Sequence, residues 1–339
     1  MGSETRERLC RHSGSLLHLA GRFADAQEHI ERSRACARET DNRRGESISL
    51  GQLAWLYREQ GRVSESLEHN QHALVMAQEV GDRRTQGTAL RNLGLAHHEQ
   101  GRWPEALEHY QQALVLAQEV GNHRAEGVTL GNLALLHQEQ GRFPEALGYF
   151  QQALSVARRV GNRRSEGVTL GNLAHIHRNQ GHIPEALAHY RRALALAREV
   201  GNRRSEGVTL GNLGDFMFSQ GELSTAETHL REAICISDES YPIAAGAFRG
   251  SLALICAQNG AFEEAQTLLV AGEPQVRGVY RMELGKFLCK KARVAFLAGD
   301  SDETASALAE AEAIASDMGV RPESQLGQAL ARAQEALAR

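Results

Sequence analysis

Glycines return along this chain at a fixed interval, and that interval constrains the fold more than any other feature. Gly21, Gly61, Gly101, Gly141, Gly181 and Gly221 follow one another every 40 residues, and a second series, Gly81, Gly121, Gly161 and Gly201, keeps the same spacing. The octapeptide Glu-Gly-Val-Thr-Leu-Gly-Asn-Leu occurs at 126–133, 166–173 and 206–213. The length of 339 residues alone would allow two or three globular domains. A repeat of this size instead marks stacked supersecondary units, none able to bury its apolar face alone.

Each period holds two helical stretches. Within 162–201, Asn162 can cap a helix start, and Gly181 can supply the left-handed residue after its end. Pro184 suits the first turn of the second helix, where an amide has no partner in any case, and that helix should run to Val200 and stop at Gly201. Leu170, Leu173, Ala174 and Ile176 in the first helix fall at helical spacing, as do Ala186, Leu187, Tyr190, Ala193 and Leu194 in the second. Small residues permit close approach and large ones fill the gaps between hairpins.

Leu133, Ala134, Gly141, Phe143, Ala146, Phe150 and Ala153 reproduce in order the small and large positions of the tetratricopeptide pattern, and the chain resembles that family. Its longer period is similar to that of the Pins/LGN spindle-orientation adaptors and of the arrays at the C-terminal ends of bacterial multidomain regulators and signalling ATPases. In both, Leu-Gly-Asn-Leu is typically followed by a Gln-Gly-Arg turn. The resemblance is strong over 41–221 and looser elsewhere.

It implies an all-α fold, a right-handed α-solenoid of about eight stacked hairpins with a C-terminal capping helix. Residues 1–40 would form a degenerate first hairpin, 41–221 the regular hairpins, and 222–321 divergent ones. In that last stretch Gly260 is followed by Phe262 and Ala265, and a weaker turn falls at Gly299–Asp300. Residues 322–339 would cap the stack, with Leu326, Leu330, Ala333 and Leu337 in one stripe, as one continuous solenoid. The first hairpin lacks an obvious preceding cap, and Met1-Gly2-Ser3 could be an expression scar, so a module cut from a longer protein stays open.

The resemblance further implies that the first helix of each hairpin lines a concave groove. In the fourth hairpin the groove stripe would be Val128, Asn132, Leu135 and Gln138, which share one side of the helix. Asn92, Asn132, Asn172 and Asn212 form a column, with Gln52 and Ser251 at the corresponding places. An amide within a helix must find partners if buried. These would bond either the backbone of an extended peptide or a neighbouring hairpin. Gly51, Gly131, Gly171 and Gly211 form the adjoining column. Glycine inside a helix costs roughly 1 kcal/mol relative to alanine, so either a second helix or a ligand backbone should come close there.

Near-identical repeats then diverge in pairs: Trp55 with Arg58, Leu95 with His98, Leu135 with Gln138, His175 with Arg178, and Asp215 with Phe218. Such changes would give each groove segment its own chemistry, as recognition of one peptide needs, unless they are drift at exposed positions. A basic column opens the first helices: Arg43–Arg44, Arg83–Arg84, His123–Arg124, Arg163–Arg164 and Arg203–Arg204. Cations there oppose the helix dipole. They form either a solvated rim, partly paired with Glu46, Glu126, Glu166 and Glu206, or an attractor for an acidic segment of a partner, through Arg84, Arg124, Arg164 and Arg204.

Other function classes find little support. Lys plus Arg number 38 against 42 Asp plus Glu, a formal charge of -4, which advertises neither nucleic acid nor anionic membrane. RNA binding through the arginine column is a minor alternative, weakened by an aromatic content of 5%. Histidines fall in two columns: His97, His137 and His177, where the family packs a tyrosine as at Tyr57, and His29, His69, His109, His189 and His229, with Tyr149 in the same column. Helices spaced by about 8–10 Å place successive repeats too far apart to share one metal ion, so neither metal nor cofactor is expected. No P-loop, dinucleotide fingerprint, zincin or nucleophile-elbow motif occurs, and the chain is not expected to be an enzyme.

The five cysteines are scattered, with no Cys-x-x-Cys pair, which fits a reducing, cytoplasmic setting. The first residues lack an apolar run, Arg6 breaks the myristoylation pattern, and no stretch approaches the roughly 18 apolar residues of a membrane span. The expected function is that of a scaffold or adaptor holding a protein or peptide. The alternative is the sensor arm of a larger bacterial ATPase, kinase or transcription regulator.

Overall fold

The computed structural model describes residues 3–19, 22–277 and 281–337, and among these every regular element is a helix. The helices follow one another as hairpins. In order these are α1 (Ser3–Leu19) and α2 (Phe23–Glu39), α3 (Arg43–Glu59) and α4 (Val63–Glu79), α5 (Arg83–Glu99) and α6 (Trp103–Glu119), and α7 (His123–Glu139) and α8 (Phe143–Arg159). Then come α9 (Arg163–Asn179) and α10 (Ile183–Glu199), α11 (Arg203–Ser219) and α12 (Leu223–Ser240), α13 (Pro242–Gln258) and α14 (Phe262–Val276), and α15 (Arg281–Leu297) and α16 (Ser301–Asp317). A lone α17 (Gln325–Leu337) closes the series. Among the described residues no helix is long and apolar enough to cross a membrane.

The turns explain the glycine interval. Gly61, with φ of 74°, and Gly201, with φ of 62°, typify a set of glycines in the left-handed region at both series of positions from Gly61 to Gly221. A side chain there would strain the backbone. Gly21 lies outside the described residues. Asp41, with φ of 52°, takes the same conformation where the second series would need a glycine. Around Gly61 the amide of Arg62 donates to the Tyr57 carbonyl at 2.8 Å, closing the helix end as a left-handed residue allows.

Helix starts alternate in kind. First helices of the regular hairpins begin on a capping side chain: Asn42 accepts from the Gly45 amide at 3.0 Å, Asn162 from Ser165 at 3.1 Å and Asn202 from Ser205 at 3.3 Å, whereas the later α13 starts uncapped on Pro242 and the second helix α16 is capped by Asp300. The second helices α6, α8 and α10 have no such cap and carry Pro104, Pro144 and Pro184 in the first turn.

The described chain divides into two compact units, residues 1–133 and 134–339. In the first, Leu50, Ala73, Leu74, Leu90, Leu93 and Leu116 form one cluster and Ile30, Leu53 and Tyr57 another. In the second, Ala134, Ala146, Phe150, Leu173 and Ile176 pack together, as do Ala174, Ala186, Tyr190, Leu213 and Phe216. Each cluster draws on adjacent hairpins, so no hairpin has a core of its own. Within each unit successive first helices touch, α1 with α3 and α3 with α5, then α9 with α11, α11 with α13 and α13 with α15. Successive second helices come no closer than marginal contact, so the first helices form the tighter, inner side of each unit.

Glutamates ending the first turn of the first helices tie hairpins together. Glu166 accepts from Arg158 of α8 at 3.2 Å and from Arg163 of its own turn at 3.1 Å, and Glu206 does the same with Arg198 at 2.9 Å and Arg203 at 2.8 Å. Both are buried. Burial alone would raise the Glu166 pKa, but the two arginine hydrogen bonds hold it below the ordinary carboxylate value.

The end of the chain does more than seal the last hairpin. Leu326 of α17 packs where a Cβ on Gly285 of α15 would lie 2.8 Å from it, which is the contact expected of a cap. The segment leading into α17 also reaches the beginning of the second unit, for a Cβ on Gly141, in the turn after α7, would lie 2.8 Å from that of Glu323.

Candidate binding faces

The inner side of the first unit is built by α1, α3 and α5, and residues 123–133 of α7 end that unit. Asn92 of α5 donates to Asn70 of α4 at 3.4 Å, a bond between neighbouring hairpins. Asn132 is half-buried and makes no hydrogen bond to any described residue. Arg58 donates to Glu99 at 2.6 Å, joining α3 to α5. Leu95 is half-buried, and Val128 is exposed. His98 is not on the open face: it is 4% exposed, with its ring edge-on to Trp103 and to Tyr110. Its divergence from the other repeats serves the core of its own hairpin.

In the second unit Asn172 and Asn212 are likewise half-buried and bond no described residue. Ser251, in the same column, accepts from Lys290 of α15 at 2.6 Å. The inter-hairpin seam thus exists at Asn92 and Ser251 and is missing at the three amides between them in sequence. His175 accepts from Arg178 at 2.8 Å, which requires an unprotonated Nε2. Burial first, and then the charges of Arg178, Lys286 and Arg332, keep the ring well below its usual pKa. Leu135 packs beside the Phe150 cluster, Asp215 and Phe218 are half-buried, and Gln138 is 3% exposed with its carbonyl oxygen unbonded.

The glycine column has no single explanation. Nothing lies within 4 Å of a Cβ built on Gly51 or Gly131, so no helix approaches there. At Gly171 the nearest atom is Thr209 Oγ1 at 3.9 Å, an ordinary contact. At Gly211 the ring of Phe248 would be 2.1 Å away, so a side chain from α13 fills the space. Arg91 holds the equivalent place in α5, and burial lowers its pKa.

The basic column splits in two. Its first members are paired: Arg83 with Glu119 at 2.8 Å, His123 with Glu126 at 2.9 Å, and Arg163 and Arg203 with Glu166 and Glu206. Among the second members, Arg44 pairs with Asp82 at 2.7 Å, while Arg84, Arg124 and Arg164 are exposed and form no ion pair with a described residue. Arg204 stacks on Tyr241, its Cζ 3.7 Å from the ring centre.

The two histidine columns meet each other inside four successive hairpins, from α3–α4 to α9–α10. His97 stacks on His109, His137 on Tyr149 and His177 on His189, while Tyr57 meets His69 edge-on, with ring centres 5.0 to 5.4 Å apart. The sequence shows the columns but not the pairing, which would follow from setting the two helices of one period antiparallel. Among the described residues no three His, Cys, Asp or Glu side chains converge on one point.

The family model for the tetratricopeptide repeat matches residues 9–79, 85–159 and 165–238, more than half of the chain. No curated protein matches the sequence. Among solved structures, a Rap protein in complex with competence and sporulation factor is 17% identical over 99% of this chain and 97% of its own, with a TM-score of 0.66. NprR in complex with its cognate peptide NprX is 18% identical over 94% of this chain and 92% of its own, with a TM-score of 0.63. A signal transduction ATPase with a tetratricopeptide repeat sensor, from Pyrococcus horikoshii, is 14% identical over 98% of this chain and 47% of its own, with a TM-score of 0.53. At these identities the likeness is one of fold.

Proposed function

Since the chain belongs to the tetratricopeptide repeat family, we propose that it is a binding module that holds an extended peptide or protein segment against the inner, first-helix side of its hairpins. One observation carries this reading: within the second unit, Asn172 and Asn212 present amides that no described residue satisfies. Side-chain amides without internal partners, spaced one per hairpin, suit the regularly spaced carbonyls and amides of an extended backbone. In the first unit the open space beside Gly131 admits a ligand main chain and the unpaired Arg84 and Arg124 would attract an acidic stretch of a partner, as the unpaired Arg164 would in the second. The Rap and NprR structures, solved with a factor and with a peptide, support this reading by likeness of fold.

A second reading concerns the setting of that binding. The match to the sensor-bearing ATPase covers about half of that protein, which supports this array acting as the sensor arm of a larger signalling protein. Both readings need the same face. The test is a screen of an immobilised peptide library with the wild type and with Asn172→Ala/Asn212→Ala. Peptides lost on the variant, at unchanged melting temperature, support the face. A variant that retains every wild-type peptide overturns it.

A further inference from the structure

Three arginines on the inner side of the second unit come from helices far apart in sequence, and none has an acidic partner among the described residues. Arg178 stands on α9, Arg293 on α15 and Arg332 on α17. Their placement follows from how α17 sits. Lys286 of α15 donates to Gln325 of α17 at 3.1 Å. Arg293 is seven residues beyond Lys286, and Arg332 is seven beyond Gln325, so each lies two turns further along its helix on the same face. Arg332 is near enough to both Arg293 and Arg178 for the charges to act on one another, and burial, followed by the charge of Arg332, lowers the pKa of Arg293.

The nearby acids are otherwise engaged or do not pair. Glu283 takes Lys286, Glu312 takes Gln334, Glu335 one turn beyond Arg332 is engaged elsewhere, and Asp215, which shares with Arg178 the surroundings of Tyr190, forms no ion pair. Arg178 is held from behind by its bond to the neutral His175, which fixes the guanidinium without neutralising it. Arg178 and Arg293 are half-buried while Arg332 is exposed, so the cluster is open to a ligand on one side.

We infer that Arg178, Arg293 and Arg332 form an anion site that receives the carboxylates of an acidic peptide segment. Guanidinium groups remain charged at any physiological pH and offer fork-shaped pairs of donors that match a carboxylate. A ligand here would stabilise the array by removing repulsion between α9, α15 and α17, and would hold α17 in place. This inference rests on the peptide-binding reading above and assigns it a ligand charge and a location.

The test uses the full chain and fluorescein-labelled hexaglutamate, with inorganic phosphate as a second probe. Binding is read by anisotropy, and melting temperature with and without the probe. Hexaglutamate should bind and raise the melting temperature. Arg293→Gln/Arg332→Gln should weaken binding roughly ten-fold or more, and without probe it should melt no lower than the wild type. Arg281→Gln, an exposed change on the same α15 paired with Asp317, should bind as the wild type does. Equal binding by the double variant, or equal loss in Arg281→Gln, overturns the site. Phosphate binding that the double variant loses, with no binding of hexaglutamate, overturns the peptide source. Library peptides that depend on Asn172 and Asn212 but ignore the arginine variant would sink this site alone and leave the broader reading standing.

Discussion

His97 and His109 face each other across the hairpin of α5 and α6, ring centres 5.3 Å apart and planes inclined by 26°. The pair repeats as His177 on His189, and each of these rings is held below its ordinary pKa, by burial first. His137 and His175 are shifted the same way. The folded protein therefore favours the neutral rings.

Acidification should destabilise the array through these groups. Their contribution is complete above the unfolded histidine value of about 6.5 and is lost as pH falls through the depressed folded values. The melting temperature should drop between pH 7.5 and 5.5, and His97→Phe/His109→Phe should recover part of that drop. Equal acid sensitivity in that variant would dissociate the effect from the stacked rings.

The asparagine column should separate by partner. Asn132→Ala/Asn172→Ala removes no internal hydrogen bond, so chemical denaturation should show a change within about 0.5 kcal/mol. Asn92→Ala leaves the buried Asn70 carbonyl without its donor and should cost about 1 kcal/mol. A large loss in the double variant would show that those amides serve the fold.

Two glycines of one column should respond in opposite directions. Gly131→Ala meets open space and should stabilise by about 0.5–1 kcal/mol, because alanine restricts the unfolded chain and favours the helix. Gly211→Ala drives a methyl into Phe248 and should destabilise by about 1–3 kcal/mol. Effects of the same sign at both positions would contradict the packing described.

The arginine rim offers a similar contrast. Arg84→Glu/Arg124→Glu should leave stability within about 0.5 kcal/mol, since neither residue has a partner to lose, and should weaken capture of an acidic peptide most at low salt. Arg163→Glu/Arg203→Glu puts acids beside the buried Glu166 and Glu206 and should lower stability clearly more. Both can be read from denaturant midpoints and the salt dependence of binding.

What the sequence disclosed was whatever repeats. The left-handed turns, the Asn162 cap and the Pro184 start are local demands of one hairpin, and they recur with the period. Contacts peculiar to one hairpin were hidden. His98 occupies a column whose other members, Arg58, Gln138 and Arg178, gave no hint that it would turn inward, and the bulky Trp103 that receives it stands where other repeats carry Val63, Phe143 and Ile183. The arginine cluster was illegible for a different reason. Its members lie in α9, α15 and α17, outside any common register, and only the return of the C-terminal segment brings them together.

That return fixes a number. A stack of alike hairpins joined by alike turns tolerates duplication or loss of a whole period, because each new copy meets the same neighbours on both sides. The meeting of Glu323 with Gly141 does not. It closes a loop over a set count of hairpins, so inserting a second copy of 162–201 would preserve every local contact while carrying the tail past its seat. Recombination between the near-identical repeats, otherwise the easiest change this gene could undergo, is thereby checked within the second unit by one distant contact.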